Sequence, residues 1–146
     1  MNFLNRMQPL ALLILRLALA GIFITHGYPK LTRDSSQMQQ FFLQHGLPAQ
    51  FVYVAGVIEV FGGGLLILGL FTRPTALLLA IEMGVAIWKV HSAHGIMALH
   101  EYEFPLALAT ACFALAAVGA GAVSIDEGLL GSGRGQRPRA PKRARE

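Results

Sequence analysis

The chain has 146 residues, of which 54% are hydrophobic and 14% charged, with a mean hydropathy of +0.53. A soluble domain carries about 25% charged residues, so this composition excludes an ordinary water-facing surface and leaves lipid as the solvent for the outside of the fold. The formal net charge of +4 is concentrated in a tail, where Arg134, Arg137, Arg139, Lys142, Arg143 and Arg145 face only Glu146.

Crossing a hydrocarbon core of ~30 Å takes about 20 mostly apolar residues. Four segments qualify, at roughly 9–29, 51–71, 74–92 and 104–123. Their Leu, Ala and Ile residues run around all sides, which suits lipid-exposed helices. The expected fold is all-α: an integral membrane four-helix bundle over residues 1–131, followed by a basic disordered cytoplasmic tail over 132–146.

The first segment also reads as a signal peptide, with Arg6, a short apolar stretch and then Ala18-Leu19-Ala20. Arg16 within that stretch, and the apolar run continuing through Gly21-Ile22-Phe23-Ile24, favour a retained helix. Between the first and second segments, Met38, Phe41 and Phe42 share one face, Asp34 or Ser35 can cap, and Gly46 and Pro48 stop the element. This predicts a short amphipathic helix at the membrane surface. The link "FTRPT", 71–75, is a tight turn, with Pro74 expected as the first residue of the third helix.

"GGG" at 62–64 lacks the Lys-Ser/Thr of a phosphate loop. It reads instead as a close-packing seam, as do Ala76, Ala80 and Gly84. Trp88, Tyr28 and Tyr53 suit the headgroup belt. The tail "GSGRGQRPRAPKRARE" is too polar and too rich in proline to fold alone. Attraction to anionic lipids beside spanning helices explains it better than nucleic-acid binding. Cys112 stands alone, which removes disulfides and dithiol redox chemistry within one chain.

Four spans put both termini on one side. That side would hold Arg6, Arg73 and the six tail cations, against Lys30, Arg33 and Lys89 on the other, so both termini are expected in the cytoplasm. Ionisable residues within the bilayer are costly and tend to face the bundle interior and pair. Depth counted at ~1.5 Å per residue puts Arg16 and Glu82 at similar heights, which predicts a structural ion pair. It gathers Glu59 with His26, Lys30, Lys89, His91, His94 and Glu103 in the outer half. There a polar small-molecule or ligand-binding pocket is expected, with Glu59 as its floor and His26 and Lys30 at its mouth. His91 and His94 at i, i+3 could hold zinc with Glu103 or Glu59, but no third ligand is fixed by spacing, and no metal is assigned.

Several stretches, in order, resemble the DoxX family over roughly residues 10–130. They are "LILRLALAGIFITHGYPKL", "FLQHGLP", "VIEVFGGGLLILGLFTRPTALLLAIEM", "EYEFPLAL" and "GAGAVSIDEGL". The resemblance implies a four-helix bacterial inner-membrane protein, with the family's pattern falling on Arg16, His26, Gly27, Lys30, Glu59, Gly62, Gly63, Arg73, Glu103, Ser124 and Asp126. Related proteins are linked to a thiosulfate:quinone oxidoreductase and to membrane complexes that counter oxidative stress. The resemblance thus implies an accessory subunit with redox protein partners and a quinone as candidate cofactor. With no nucleotide motif and no dithiol, the chain is not expected to be a self-sufficient enzyme. A small proton-coupled transporter and a structural scaffold are the alternatives.

Overall fold

The computed structural model describes residues 2–32, 35–91 and 99–130. The described residues form six α-helices in order: α1 (Asn2–Leu31), α2 (Ser35–Gln44), α3 (Phe51–Leu68), α4 (Thr72–Ala86), α5 (Leu99–Val118) and α6 (Ile125–Leu130). A π-helical turn, Ile87–His91, continues α4. The described residues contain no strand. Helix α1 packs mainly on α3 and α4 mainly on α5, while α3 and α4 join the two pairs.

Among the described residues, two helical stretches, Arg6–Leu31 and Phe51–Leu68, have the length and apolarity to cross a membrane. Large apolar side chains also cover the outside: Ile14 is 58% exposed, Phe61 68% and Phe113 64%. Such a surface is an aggregation hazard in water and ordinary in lipid. Inside, Phe23, Leu66, Leu79, Leu115 and Cys112 are fully buried.

Small residues set the interhelical distances. A Cβ built on Gly63 would lie 2.6 Å from Ile24 Cγ1 and 3.0 Å from the Ala20 carbonyl oxygen, and one on Gly27 would lie 2.7 Å from Glu59 Cβ. These glycines let the α1 and α3 backbones touch. Gly62 meets Leu79 of α4. The seam is narrower than expected, because Gly64 and Gly84 have open space where a Cβ would stand.

Several element ends differ from the sequence expectations; α3 stops at Leu68 rather than 71, and α5 begins at Leu99 rather than 104. The fourth segment was expected to run to 123, but α5 ends at Val118 because Gly119 (φ 96°) and Gly121 (φ 79°) turn the chain out of the helix. Helix α4 begins at Thr72, two residues before Pro74, because Asp126 supplies hydrogen-bond partners to its first N–H groups. Pro74 then sits within the first turn, where its missing N–H costs nothing. Helix α1 begins at Asn2, well before 9. The surface helix α2 forms where expected, and Gly46 follows it at φ 71°. Arg33, Asp34, His94 and the basic tail lie outside the described residues, as does the His91 side chain.

Candidate functional site: two buried polar clusters

The first cluster closes the end of the bundle where α3 meets α4. Arg16, 1% exposed, reaches from α1 past the last turn of α3. Its guanidinium donates to the carbonyl oxygens of Leu66 (3.0 Å), Ile67 (3.4 Å), Ala120 (2.8 Å) and Val123 (2.8 Å). A cation suits the carbonyl end of a helix, where the dipole is negative and the last acceptors lack intrahelical donors.

The segment after α5 completes this clamp. Both carboxylate oxygens of Asp126 accept from backbone N–H groups, those of Phe71 and Thr72, each at 2.8 Å. The Asp126 N–H in turn donates to the Gly69 carbonyl at 2.9 Å. Ser124 accepts from the Glu127 N–H at 3.1 Å and so caps α6. Arg73 donates to the Val118 carbonyl at the end of α5. The family-pattern residues Arg16, Arg73, Ser124 and Asp126 thus share one task, joining α1, α3, α4 and α5 at a common end.

The expected Arg16–Glu82 ion pair does not form. The guanidinium is taken up by four carbonyl groups, and both Glu82 carboxyl oxygens are buried with no hydrogen-bond partner among the described residues. The reason lies in height as well as direction. Because α1 starts early, Arg16 is level with the end of α3, while Glu82 lies ten residues into α4, about 15 Å further along.

The second cluster lies toward the other end. Lys30 Nζ meets Glu59 Oε2 at 2.6 Å, with the side chains 13% and 3% exposed. The contact depends on the α1–α3 seam, since Gly27 lets α1 rest on Glu59 and Gly56 makes room for the Lys30 and Leu31 stems. Glu82 is near this pair, with Glu59 and Lys30 as its charged neighbours. Cys112 of α5 lies within its influence.

The other expected pocket residues are more dispersed. His26 is exposed, its ring 5.7 Å from that of Phe104 on α5, although it still acts electrostatically on Glu59. Lys89 Nζ stands 4.8 Å over the Trp88 ring. Glu103 is exposed. The structure therefore brings Lys30 and Glu59 into contact, adds Glu82 to their surroundings and keeps Lys89 on Trp88.

Beside Glu82 is an apolar groove of about 310 Å³ between α3 and α4, roofed at one end by Phe42 and Leu47. Sequence reasoning missed it; the signal was the pairing of an intramembrane acid with an all-apolar α3–α4 face. A second cleft, of about 600 Å³, lies against the Arg16 clamp, between the start of α4 and the 118–122 turn.

The DoxX family model matches residues 11–92, more than half of the chain. An uncharacterized protein of Haemophilus influenzae is 42% identical over 93 residues, covering 64% of this chain and 68% of that protein. A Bacillus subtilis protein named "Putative oxidoreductase CatD" is 33% identical over 112 residues, or 77% of this chain and 83% of that one. The Escherichia coli inner membrane protein YphA is 33% identical over 127 residues, covering 82% and 90%. No solved structure matches the chain.

Proposed function

The chain belongs to the DoxX family of membrane proteins, and from that premise we propose that it is an accessory subunit of a redox or oxidative-stress system in the bacterial inner membrane. In this reading the chain is not a self-sufficient enzyme. The Lys30–Glu59 region receives the polar head of a small molecule, with a quinone as the leading candidate. Both termini are cytoplasmic, and the basic tail rests on anionic lipids.

The observation that carries the reading is the Lys30–Glu59 pair, buried between α1 and α3 with His26 beside it. A buried ion pair is rarely the most stable filling for such a place, because desolvation offsets the Coulomb gain. Its presence in a membrane segment favours a binding role. The oxidoreductase name of the Bacillus subtilis relative supports the redox context.

The test is native purification from membranes, with mass spectrometry of co-purifying quinones, lipids and proteins, for wild type and a Lys30→Met/Glu59→Leu double variant. A small molecule that leaves with the double change, together with failure to complement a deletion strain under oxidant stress or thiosulfate-dependent growth, supports the reading. A folded double variant that complements fully would favour a scaffold.

A further inference from the structure

Glu82 is the one carboxyl group in the described bundle interior that the two clusters leave unexplained. Both of its oxygens are buried, with no hydrogen-bond partner among the described residues. Lys30, its cationic neighbour, is engaged with Glu59 at 2.6 Å; Arg16 is held by four carbonyl groups further along the bundle, and Lys89 stands over Trp88. Lys30, Glu59 and Glu82 therefore make a buried group with one acid more than it has bases. An unpaired carboxylate is expensive in an apolar interior, and unsatisfied buried groups in native structures call for an explanation.

The surroundings offer one. Glu82 helps to line the α3–α4 groove, whose other walls are apolar. Its rim residues Val54 (51% exposed), Leu78 (48%) and Ile81 (55%) open outward, onto the surface that faces lipid. A volume of about 310 Å³ lies at the lower end of the ~300–1,000 Å³ usual for small-molecule pockets. A ligand arriving from lipid would thus meet apolar walls and a single acid.

We propose that this groove binds an amine-headed amphiphile, a lipid-soluble molecule whose apolar body lies between α3 and α4 and whose nitrogen pairs with Glu82. The buried carboxyl selects the head group, since an amine can take its proton and then pair with the carboxylate that is left. The neutral amine enters from lipid while Glu82 is protonated. The carboxyl O–H bond breaks, an N–H bond forms, and an ammonium–carboxylate pair is left with no net change in charge. Rotation about the Glu82 side-chain bonds brings the buried carboxyl to the groove, while Glu59 stays paired with Lys30. The site is separate from the head-group role proposed for Lys30 and Glu59, and each can fail without the other.

The test is equilibrium binding of radiolabelled N,N-dimethyldodecylamine to the full chain in phosphatidylcholine nanodiscs, with dodecanol as the neutral competitor and empty nanodiscs as background. Wild type is expected to bind the amine saturably, one per chain. Glu82→Gln should weaken binding roughly thirtyfold, the effect of losing one partner of a buried charge pair. Ala55→Phe, which fills the groove and leaves Glu82 in place, should also abolish saturable binding. Dodecanol should not compete. Absence of saturable binding to wild type, wild-type affinity in either folded variant, or equal competition by dodecanol would overturn the proposal. If Glu82→Gln does not fold, Ala55→Phe and the dodecanol competition still decide it.

Discussion

The guanidinium of Arg16 occupies the space into which any side chain on Gly69 would project: a Cβ there would lie 2.7 Å from Nη1. Gly69 also ends α3 in the left-handed region, at φ 64° and ψ 40°. One position thus carries two demands that only glycine meets together. Gly69→Ala should lower stability by about 2 kcal/mol or more, since left-handed backbone alone costs an L-residue roughly 1–2 kcal/mol. In an Arg16→Met background, part of that loss should vanish, because the conflict with the guanidinium is gone while the 2.7 Å approach to Ser124 Cβ and the backbone strain remain. Thermal melts of the four proteins in one detergent check this, and strictly additive losses would separate the two residues.

Asp126 holds the first turn of α4 from a distance of more than fifty residues in sequence. Asp126→Ala should cost about 1 kcal/mol or more, the usual scale of a lost N-terminal cap. The local consequence should be faster hydrogen exchange at Phe71 and Thr72 than at mid-helix amides of α4. Unchanged protection there would show that the cap is not what starts the helix.

For Lys30 and Glu59, each single truncation leaves a buried charge alone and should cost about 3–5 kcal/mol. The double change Lys30→Met/Glu59→Leu removes both charges and should recover most of that loss. A double variant as unstable as the sum of the singles would mean that each residue has separate structural partners.

The glycines of α3 make an internal comparison. Gly63→Ala drives a methyl group against Ile24 and the Ala20 carbonyl; overpacking of this kind costs about 1–3 kcal/mol. Gly64→Ala meets open space and should be neutral or slightly stabilising, given the helix propensity of alanine. Equal melting temperatures for the two variants would contradict the α1–α3 seam.

Topology can be read by impermeant thiol labelling of cysteines placed at Ser36 and Ser132 in a Cys112→Ala background. With both termini cytoplasmic, intact cells should label at 36 and not at 132. The reverse pattern would invert the orientation inferred from the distribution of lysine and arginine.

The helices of this protein are legible in its sequence because burial in lipid acts residue by residue. A run of apolar side chains is driven out of water wherever its neighbours in the fold lie, and backbone groups in lipid must bond within the helix. The same local logic marked α2, stopped by Gly46, and placed Lys30 and Glu59 in the same half of the bundle. Counting residues also grouped Arg16 with Glu82, and there it failed. Residue counting yields a height only as good as the helix start, and it yields no azimuth. A helix that is apolar on every side carries no periodic pattern to say which face turns inward. That rotation was decided by tertiary packing, through the glycines that let α1 lie against α3 and the 119–126 segment that folds back over Gly69. Packing gave Arg16 the carbonyl ends of other elements, gave Lys30 to Glu59, and left Glu82 without a partner among the described residues, beside a groove open to lipid.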